Sequence, residues 1–417
     1  MEERMLRFRT LTAFALGVCL LVALGCSSEP DKKKTEAEAP ATVEKAATEA
    51  KDFTIGLILV GPYNDKGYSQ AQYEGGKYVE THMDGAKLIY LDKVNPADRP
   101  GLTIPQVVDD LIEKGADLII AGSDDMKDGI LEAAAMHPDK IFVHASGDSA
   151  WSGKAPANLG NLFAKMIYSK MLAGFTAAMT TQTGKIGVVG PLINEETRRL
   201  MSAAYLGARY AWTEVRGMDA KDLTFNVKWI GFWFNIPGVT ADPTQVAGSF
   251  YDSGYDVVIS GIDTPDNVVV AKQRAEAGKK VWALPYDYEK ACEGQGDICL
   301  GVPYFNWGPG FLRLAKSVAD GSYKPGFEWD APYWADYNSH DKSPVGFMPG
   351  PGVTPEVKAE LDKFIAKMGS GELKLFTGPL NYQDGTPFLK AGETATDKQI
   401  WYMEQLLEGM EGLSSPE

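Results

Sequence analysis

FTIGLILVGPYNDKGYSQAQYEGG, residues 53–76, carries a strand, a polar turn and the start of a helix in one run. Residues 53–60 are almost unbroken apolar, the composition of a strand in a parallel sheet covered on both faces. Gly61-Pro62 stops it. The turn then offers an amide at Asn64, a carboxylate at Asp65, a lysine and two aromatics at the carboxyl end of the strand, where open α/β sheets hold their ligands. One wall of a small-molecule site is expected there.

Strand-like runs follow at 87–91, 116–121, 140–144, 185–189, 225–232, 256–260, 280–284 and 298–302. Helical runs at 69–81, 104–114, 129–136, 164–179, 195–215, 267–277 and 310–319 alternate with them. That alternation predicts a doubly wound α/β architecture. The chain also echoes itself. GADLIIAGSD (115–124) lines up without a gap with GYDVVISGID (254–263), each an apolar strand ending in Gly-x-Asp. Ile55-Gly56 and Ile186-Gly187 form a looser pair; each strand soon meets Gly-Pro, and the helices beyond share Tyr73-x-Gly75-x-x-Tyr78 and Tyr205-x-Gly207-x-x-Tyr210. Two copies predict two similar lobes with a ligand cleft between them. The second copy, GPLINEETRR, lacks the Asn-Asp and the aromatic, so the first lobe is expected to be the specialised wall.

The N-terminus reads as targeting rather than fold. Arg4, Arg7 and Arg9 precede an apolar run at 11–24, too short to span a bilayer comfortably, and Gly25-Cys26 follows. VALGC resembles a bacterial lipobox, which makes 1–26 a lipoprotein signal peptide and Cys26 the lipidated mature N-terminus; an ordinary signal peptide is the alternative. Residues 27–51, rich in Lys, Glu, Ala and Thr without an aromatic, cannot bury a core and are expected to form a flexible tether. Several lipid chains then hold an exported protein on a membrane surface. A net charge of −15 argues against nucleic acid and against electrostatic binding of anionic lipid. Beyond the leader only Cys292 and Cys299 remain, and in an exported chain such a pair is expected to oxidise. Free thiols or half of a metal site are the alternatives, the second weakened because no further pair or nearby histidine completes a metal set.

Several separated motifs carry a family resemblance. Asn64-Asp65-Lys66-Gly67-Tyr68-Ser69-Gln70 is similar to the NDxSFNQ turn of the basic membrane protein family, substrate-binding lipoproteins related to the purine nucleoside receptors of ABC importers. Met171-Leu172-Ala173-Gly174 resembles its YLAG helix, and WIGFWF (229–234) resembles the WTGSWF run of its nucleobase-binding branch. Asn306-Trp307-Gly308-Pro309 resembles its NWGP, and Gly378-Pro379-Leu380, Asp384-Gly385 and Ala391-Gly392-Glu393 its closing pattern. The resemblance covers 53 to the C-terminus and implies a type I periplasmic-binding fold, two doubly wound α/β lobes that close on a ligand without catalysis, cofactor or metal. The first lobe is expected at 53–160 plus about 286–325, and the second at 161–285 plus about 326–417. An ABC permease and ATPase are the implied partners, the lipid anchor is the one membrane contact, and a monomer is expected.

On that resemblance Tyr68 matches the stacking aromatic of the first lobe, with Trp233 or Phe234 as its partner across the cleft and Asn64 and Asp65 reading the ring edge. A planar heterocycle held between aromatic faces fits on physical grounds as well. Asp65 can instead cap the helix beginning near Ser69. Trp229 shares a strand face with Gly231 and Trp233, so one of the tryptophans is expected in the core. Asp124 and Asp263 are expected to cap helices while facing the cleft. Asp287, in Pro285-Tyr286-Asp287-Tyr288, matches the family aspartate that hydrogen-bonds a ribose; a surface turn is the plainer reading. Phe305 stands where nucleoside-binding relatives carry a lysine, and an aromatic cannot replace an ammonium donor. Asn235 and Ile236 also replace an aspartate and a proline. A free, adenine-like nucleobase is therefore expected in preference to a nucleoside, with riboflavin or another large flat ligand as the alternative.

An enzyme is the competing class. His82, His137, His144 and His340 are scattered, and the chain has no HExxH, GxSxG, Walker or GxGxxG motif. A sensory receptor is a third class, in which the same cleft docks on a signalling partner instead of a permease.

Overall fold

The computed structural model describes residues 52–416; the signal peptide, Cys26 and the tether lie outside the described residues. In chain order come β1 (Phe53–Ile58), α1 (Tyr68–His82), β2 (Ala86–Leu91), α2 (Ile104–Glu113), β3 (Leu118–Ala121), α3 (Lys127–Met136), β4 (Ile141–His144) and β5 (Leu159–Ala164). Then follow α4 (Ile167–Thr180), β6 (Lys185–Gly190), α5 (Glu195–Tyr210), β7 (Thr224–Trp229), α6 (Pro243–Asp252), β8 (Val257–Ser260), α7 (Asp266–Glu276) and β9 (Trp282–Leu284). The last third holds β10 (Gly301–Phe305), α8 (Gly308–Ala319), β11 (Phe327–Asp330), β12 (Val345–Pro349), α9 (Pro355–Gly369), β13 (Leu380–Asn381), β14 (Pro387–Leu389), α10 (Asp397–Trp401) and β15 (Met410–Glu411).

Two large sheets result, ordered β11-β5-β4-β3-β1-β2 and β15-β7-β6-β8-β9, and every pairing in both is parallel; β10-β12 and β13-β14 form two small ones. The internal echo is visible strand for strand, since β4-β3-β1-β2 and β9-β8-β6-β7 are the same arrangement. Even the register repeats: Ile55 stands opposite Leu118 in one sheet and Ile186 opposite Val257 in the other. The central strands LIIA and VVIS are buried throughout, as continuous apolar runs between helical layers must be. Capping boxes at Thr103 and Asn194 fix the starts of α2 and α5.

Several boundaries differ from expectation. Residues 159–164 form β5, a strand the sequence pattern hides because Gly160 and Asn161 interrupt its apolar run. The first sheet therefore runs to Ala164, and it also takes in Phe327–Asp330 beside β5, so the expected handovers at 160 and 326 shift by several residues. The strand expected at 298–302 is β10, which pairs antiparallel with β12 and belongs to neither large sheet. Helix 195–215 ends as α-helix at Tyr210 and continues as a π-turn over Ala211–Val215. Helix α6 was not signalled. Cys292 and Cys299 are joined as a disulfide beneath the second lobe's apolar cluster. No described helix is long and apolar enough to cross a membrane.

α4 and α5 pack through glycines. A Cβ on Gly174 would lie 1.8 Å from the Ala204 carbonyl oxygen, and one on Gly207 would lie 2.0 Å from that of Met171. Neither backbone can yield without separating the helices. Gly174→Ala should therefore lower unfolding stability by about 3 kcal/mol, with an unchanged denaturant slope. Unchanged stability in a urea titration would show that the helices re-space freely.

Candidate functional site

The carboxyl ends of β1 and β8 face each other. After β1, Asp65 accepts hydrogen bonds from the N–H groups of Gly67 (2.8 Å), Ser69 (3.0 Å) and Gln70 (3.0 Å), so its carboxylate closes the open start of α1. The capping role of Asp65 is thus what the structure places there. This arrangement fixes Tyr68 as the first residue of α1. Across the cleft, the Asp263 carbonyl accepts the Tyr68 N–H at 3.4 Å, and its own N–H donates to the Trp233 carbonyl at 2.9 Å. Gly67 makes that approach possible: a Cβ there would sit 1.6 Å from the Asp263 carbonyl oxygen.

Between the lobes lies a cavity walled by Tyr68, Trp233 and Tyr286, with Asp124, Glu196, Asp263 and Asp287 around it. Its volume is about 400 Å³.

Tyr68 donates its hydroxyl to the Ala145 carbonyl at 3.1 Å and meets Phe305 and Trp307 edge-on. One face is left for the cavity. Trp233 is nearly buried and lines it from the second lobe, whereas Phe234 turns away, packing on the apolar cluster of the first lobe and against Phe232. Trp229 lies at the end of β7, its indole N–H bonded to the Leu413 carbonyl. Asp263 and Asp124 line the cavity, but Ser123 provides the cap expected of Asp124, and no side-chain cap closes α7.

Asp287 is no surface turn. It is fully buried at φ +71°, a conformation rare outside glycine, and its backbone is held by hydrogen bonds with Pro303 and Phe305 of β10. Both of its carboxyl oxygens are buried without a hydrogen-bond partner. Asn64 is exposed and stands outside the cavity, and Phe305 lies behind Tyr68, stacked on Trp307. These two, with Phe234 and with Asp65, whose carboxylate is occupied at the start of α1, do not line the cavity.

The sequence reading passed over Glu196, Tyr286 and Lys170. Glu196 comes from GPLINEETRR, so the second copy does contribute polar groups to the cavity, with Thr197 and Leu200 beside it. The capping box of Asn194 was a usable signal. Lys170 is buried beneath the site; its Nζ donates to the Ser260 carbonyl at 2.9 Å and lies 3.0 Å over the Tyr286 ring. Burial lowers its pKa to about 7, against the pull of Asp287, Glu196 and Asp263. Burial also pushes Glu196 up to about 7 and Asp65 to about 6, and holds Asp263 and Asp287 well above the usual carboxylate range.

Residues 53–300 match the family model described as ABC transporter substrate-binding protein PnrA-like. A purine-binding protein of Brucella abortus is 27% identical over 88% of this chain and 95% of its own length. A putative ABC transporter glucose-binding protein of Haloferax volcanii is 25% identical over 88% of this chain and 82% of its own. Among solved structures, an ABC transporter solute-binding protein from Aeropyrum pernix superposes with a TM-score of 0.60 at 13% identity, over 79% of this chain and 93% of that one. One from Conexibacter woesei gives 0.56 at 18%, over 77% and 97%. That likeness shows the fold, two doubly wound α/β lobes of the type I periplasmic-binding kind. With more than half of its length matched by the family model, the chain belongs to the PnrA-like family of ABC transporter substrate-binding proteins.

Proposed function

We propose that this substrate-binding protein captures a purine-type heterocycle, a free nucleobase in preference to a nucleoside, and delivers it unchanged to an ABC permease and its ATPase. The observation that carries the reading is the meeting, in one cavity, of aromatic side chains from opposite lobes, Tyr68 and Trp233, with the buried, unpartnered carboxyl group of Asp287. Two aromatic walls suit a flat ring, and a buried carboxyl group without a partner is satisfied by a polar edge of that ring. The purine-binding relative from Brucella supports the same ligand class. On the family resemblance Phe305, stacked on Trp307, stands where nucleoside-binding relatives carry a ribose-binding lysine, which favours the base alone. Lipid on Cys26 and the tether at 27–51 would hold the protein at the outer face of the membrane.

The purified protein should carry or bind adenine, detected by mass spectrometry of heat-released ligand and by titration calorimetry. No affinity for any nucleobase, nucleoside or flavin would end this reading. Tyr68→Ala should weaken binding at least about tenfold, as expected for loss of one stacked face, while the empty protein keeps its melting temperature; a large drop in melting temperature would make Tyr68 a core residue instead. Gly67→Ala should release ligand at least about tenfold faster, because its Cβ meets the Asp263 carbonyl and the lobes cannot close. An unchanged release rate would show that this contact plays no part in closure.

The closed, empty form should also depend on pH. Glu196, Asp263 and Asp287 have raised pKa values, so the stability they contribute is complete below their ordinary range and is lost as pH rises, through about 7 for Glu196; Lys170, lowered to about 7, acts in the opposite sense but is one group against three. Small-angle scattering of the empty protein should show the smaller radius of gyration at the acid end of that window. The opposite trend would contradict the sign.

A further inference from the structure

Residues 230–241 leave the second sheet after β7 and return to the start of α6 as a braced loop. Its ends are tied where the Ala241 N–H donates to the Ile230 carbonyl at 2.9 Å. The N–H groups of Ile230 and Gly231 fasten it to the second lobe, donating at 2.9 Å to the carbonyls of Gly190 and Pro191. The Asp263 N–H holds it again at the Trp233 carbonyl. Its far turn is closed by the Thr240 hydroxyl, which accepts the Ile236 N–H at 2.9 Å and lies 3.1 Å from the Asn235 side-chain oxygen.

Two adjacent side chains leave this loop in different directions. Trp233 lines the cavity, whereas Phe234 crosses to the first lobe and packs on the apolar cluster that contains Val60 and Val94. The Phe232 ring backs it edge-on, 5.1 Å away between centroids. Around Phe234 the lobes meet along a notch, with Gly61, Pro62 and Lys93 on one side and Asn235 and Pro265 on the other. The seat is part of the Tyr68 wall. Lys93 donates its N–H to the Gly61 carbonyl at 3.1 Å and Val94 to that of Leu59 at 2.9 Å, which joins the chain after β1 to the chain after β2. Asp65 then fixes the path from this seat to Tyr68.

The two contacts across the cleft differ in kind. The hydrogen bond from Tyr68 to the Asp263 carbonyl exchanges with water and has a small net value, whereas the Phe234 ring is covered by the first lobe only when the lobes meet. We infer that Phe234 is a positioning residue for ligand capture: seated in the first lobe, it anchors the closed cleft and holds Trp233 at a fixed distance from Tyr68 without itself touching the ligand. Because the loop is braced at both ends, unseating Phe234 displaces Trp233 as well. The anchor acts whichever ring occupies the cavity.

Release kinetics and the distance between lobes test this role in the purified protein. Phe234→Ala should release adenine at least about tenfold faster, with association changed less than about threefold, because the lost contact forms after encounter. Phe234→Leu keeps an apolar group for the seat and should recover most of that difference. Equal release from wild type and Phe234→Ala would overturn the inference. Spin labels at Glu113→Cys on α2 and Lys272→Cys on α7, both exposed positions, report the separation of the lobes by pulsed electron resonance. Phe234→Ala should shift the distances outward relative to wild type, with adenine or without it. Identical distributions under both conditions would overturn the anchor, and so would faster release with a lowered urea midpoint and unchanged distances, which marks a merely structural residue. If adenine neither binds nor alters the wild-type distances, the purine reading fails, and the comparison of the two proteins still decides for or against Phe234.

Discussion

The approach of Gly67 to the Asp263 carbonyl is the contact on which the arrangement of the site depends. It joins the strand end of one lobe to the strand end of the other, and only a residue without a Cβ allows it. Asp65 prepares the contact by holding the N–H groups of Gly67, Ser69 and Gln70, which fixes where α1 starts and so where Tyr68 stands. The partner side is held in turn by the bond from the Asp263 N–H to the Trp233 carbonyl. Stacking face, closure contact and opposite wall are therefore one mechanical unit spanning two lobes.

Closure has an electrostatic cost, and the molecule meets only part of it internally. Lys170 lies under the site with its charge directed to a carbonyl and a ring, and Arg199 is set among Phe163, Trp329 and Trp401. Neither lines the cavity, so the carboxyl groups of Glu196, Asp263 and Asp287 remain without hydrogen-bond donors. A ligand that offers polar partners to these groups would favour the closed form. The strained backbone of Asp287 is tolerated because β10 pins it on both sides.

Much of the fold was legible because parallel strands covered on both faces must be continuous apolar runs, and the repeat of GADLIIAGSD as GYDVVISGID preserved even the register of β3 and β8 against their neighbours. β5 and β11 were not legible: Gly160 and Asn161 break the pattern of the first, and two of the four residues of the second, Glu328 and Asp330, are charged. At the site, Tyr68 and Trp233 could be found because each falls in a motif that resembles the family's, the NDKGYSQ turn and the WIGFWF run. Asn64 and Phe305 misled, since motif position alone does not say whether a side chain turns inward or is covered by a neighbour. Glu196 and Lys170 were missed because each sits in a helix, where a charged residue is ordinarily a solvated face. Lys170 is covered by Ser260 and the Tyr286 ring, contacts distant in sequence.

The central claim is that ligand capture and the Gly67–Asp263 closure are the same event. The most direct measurement is amide hydrogen exchange at Tyr68, whose N–H reaches across the cleft to the Asp263 carbonyl. With adenine present, its exchange should slow at least about tenfold relative to the empty protein, while the amides of β3 and β8, buried in either state, keep their rates. Equal exchange at Tyr68 with and without bound adenine would contradict the account.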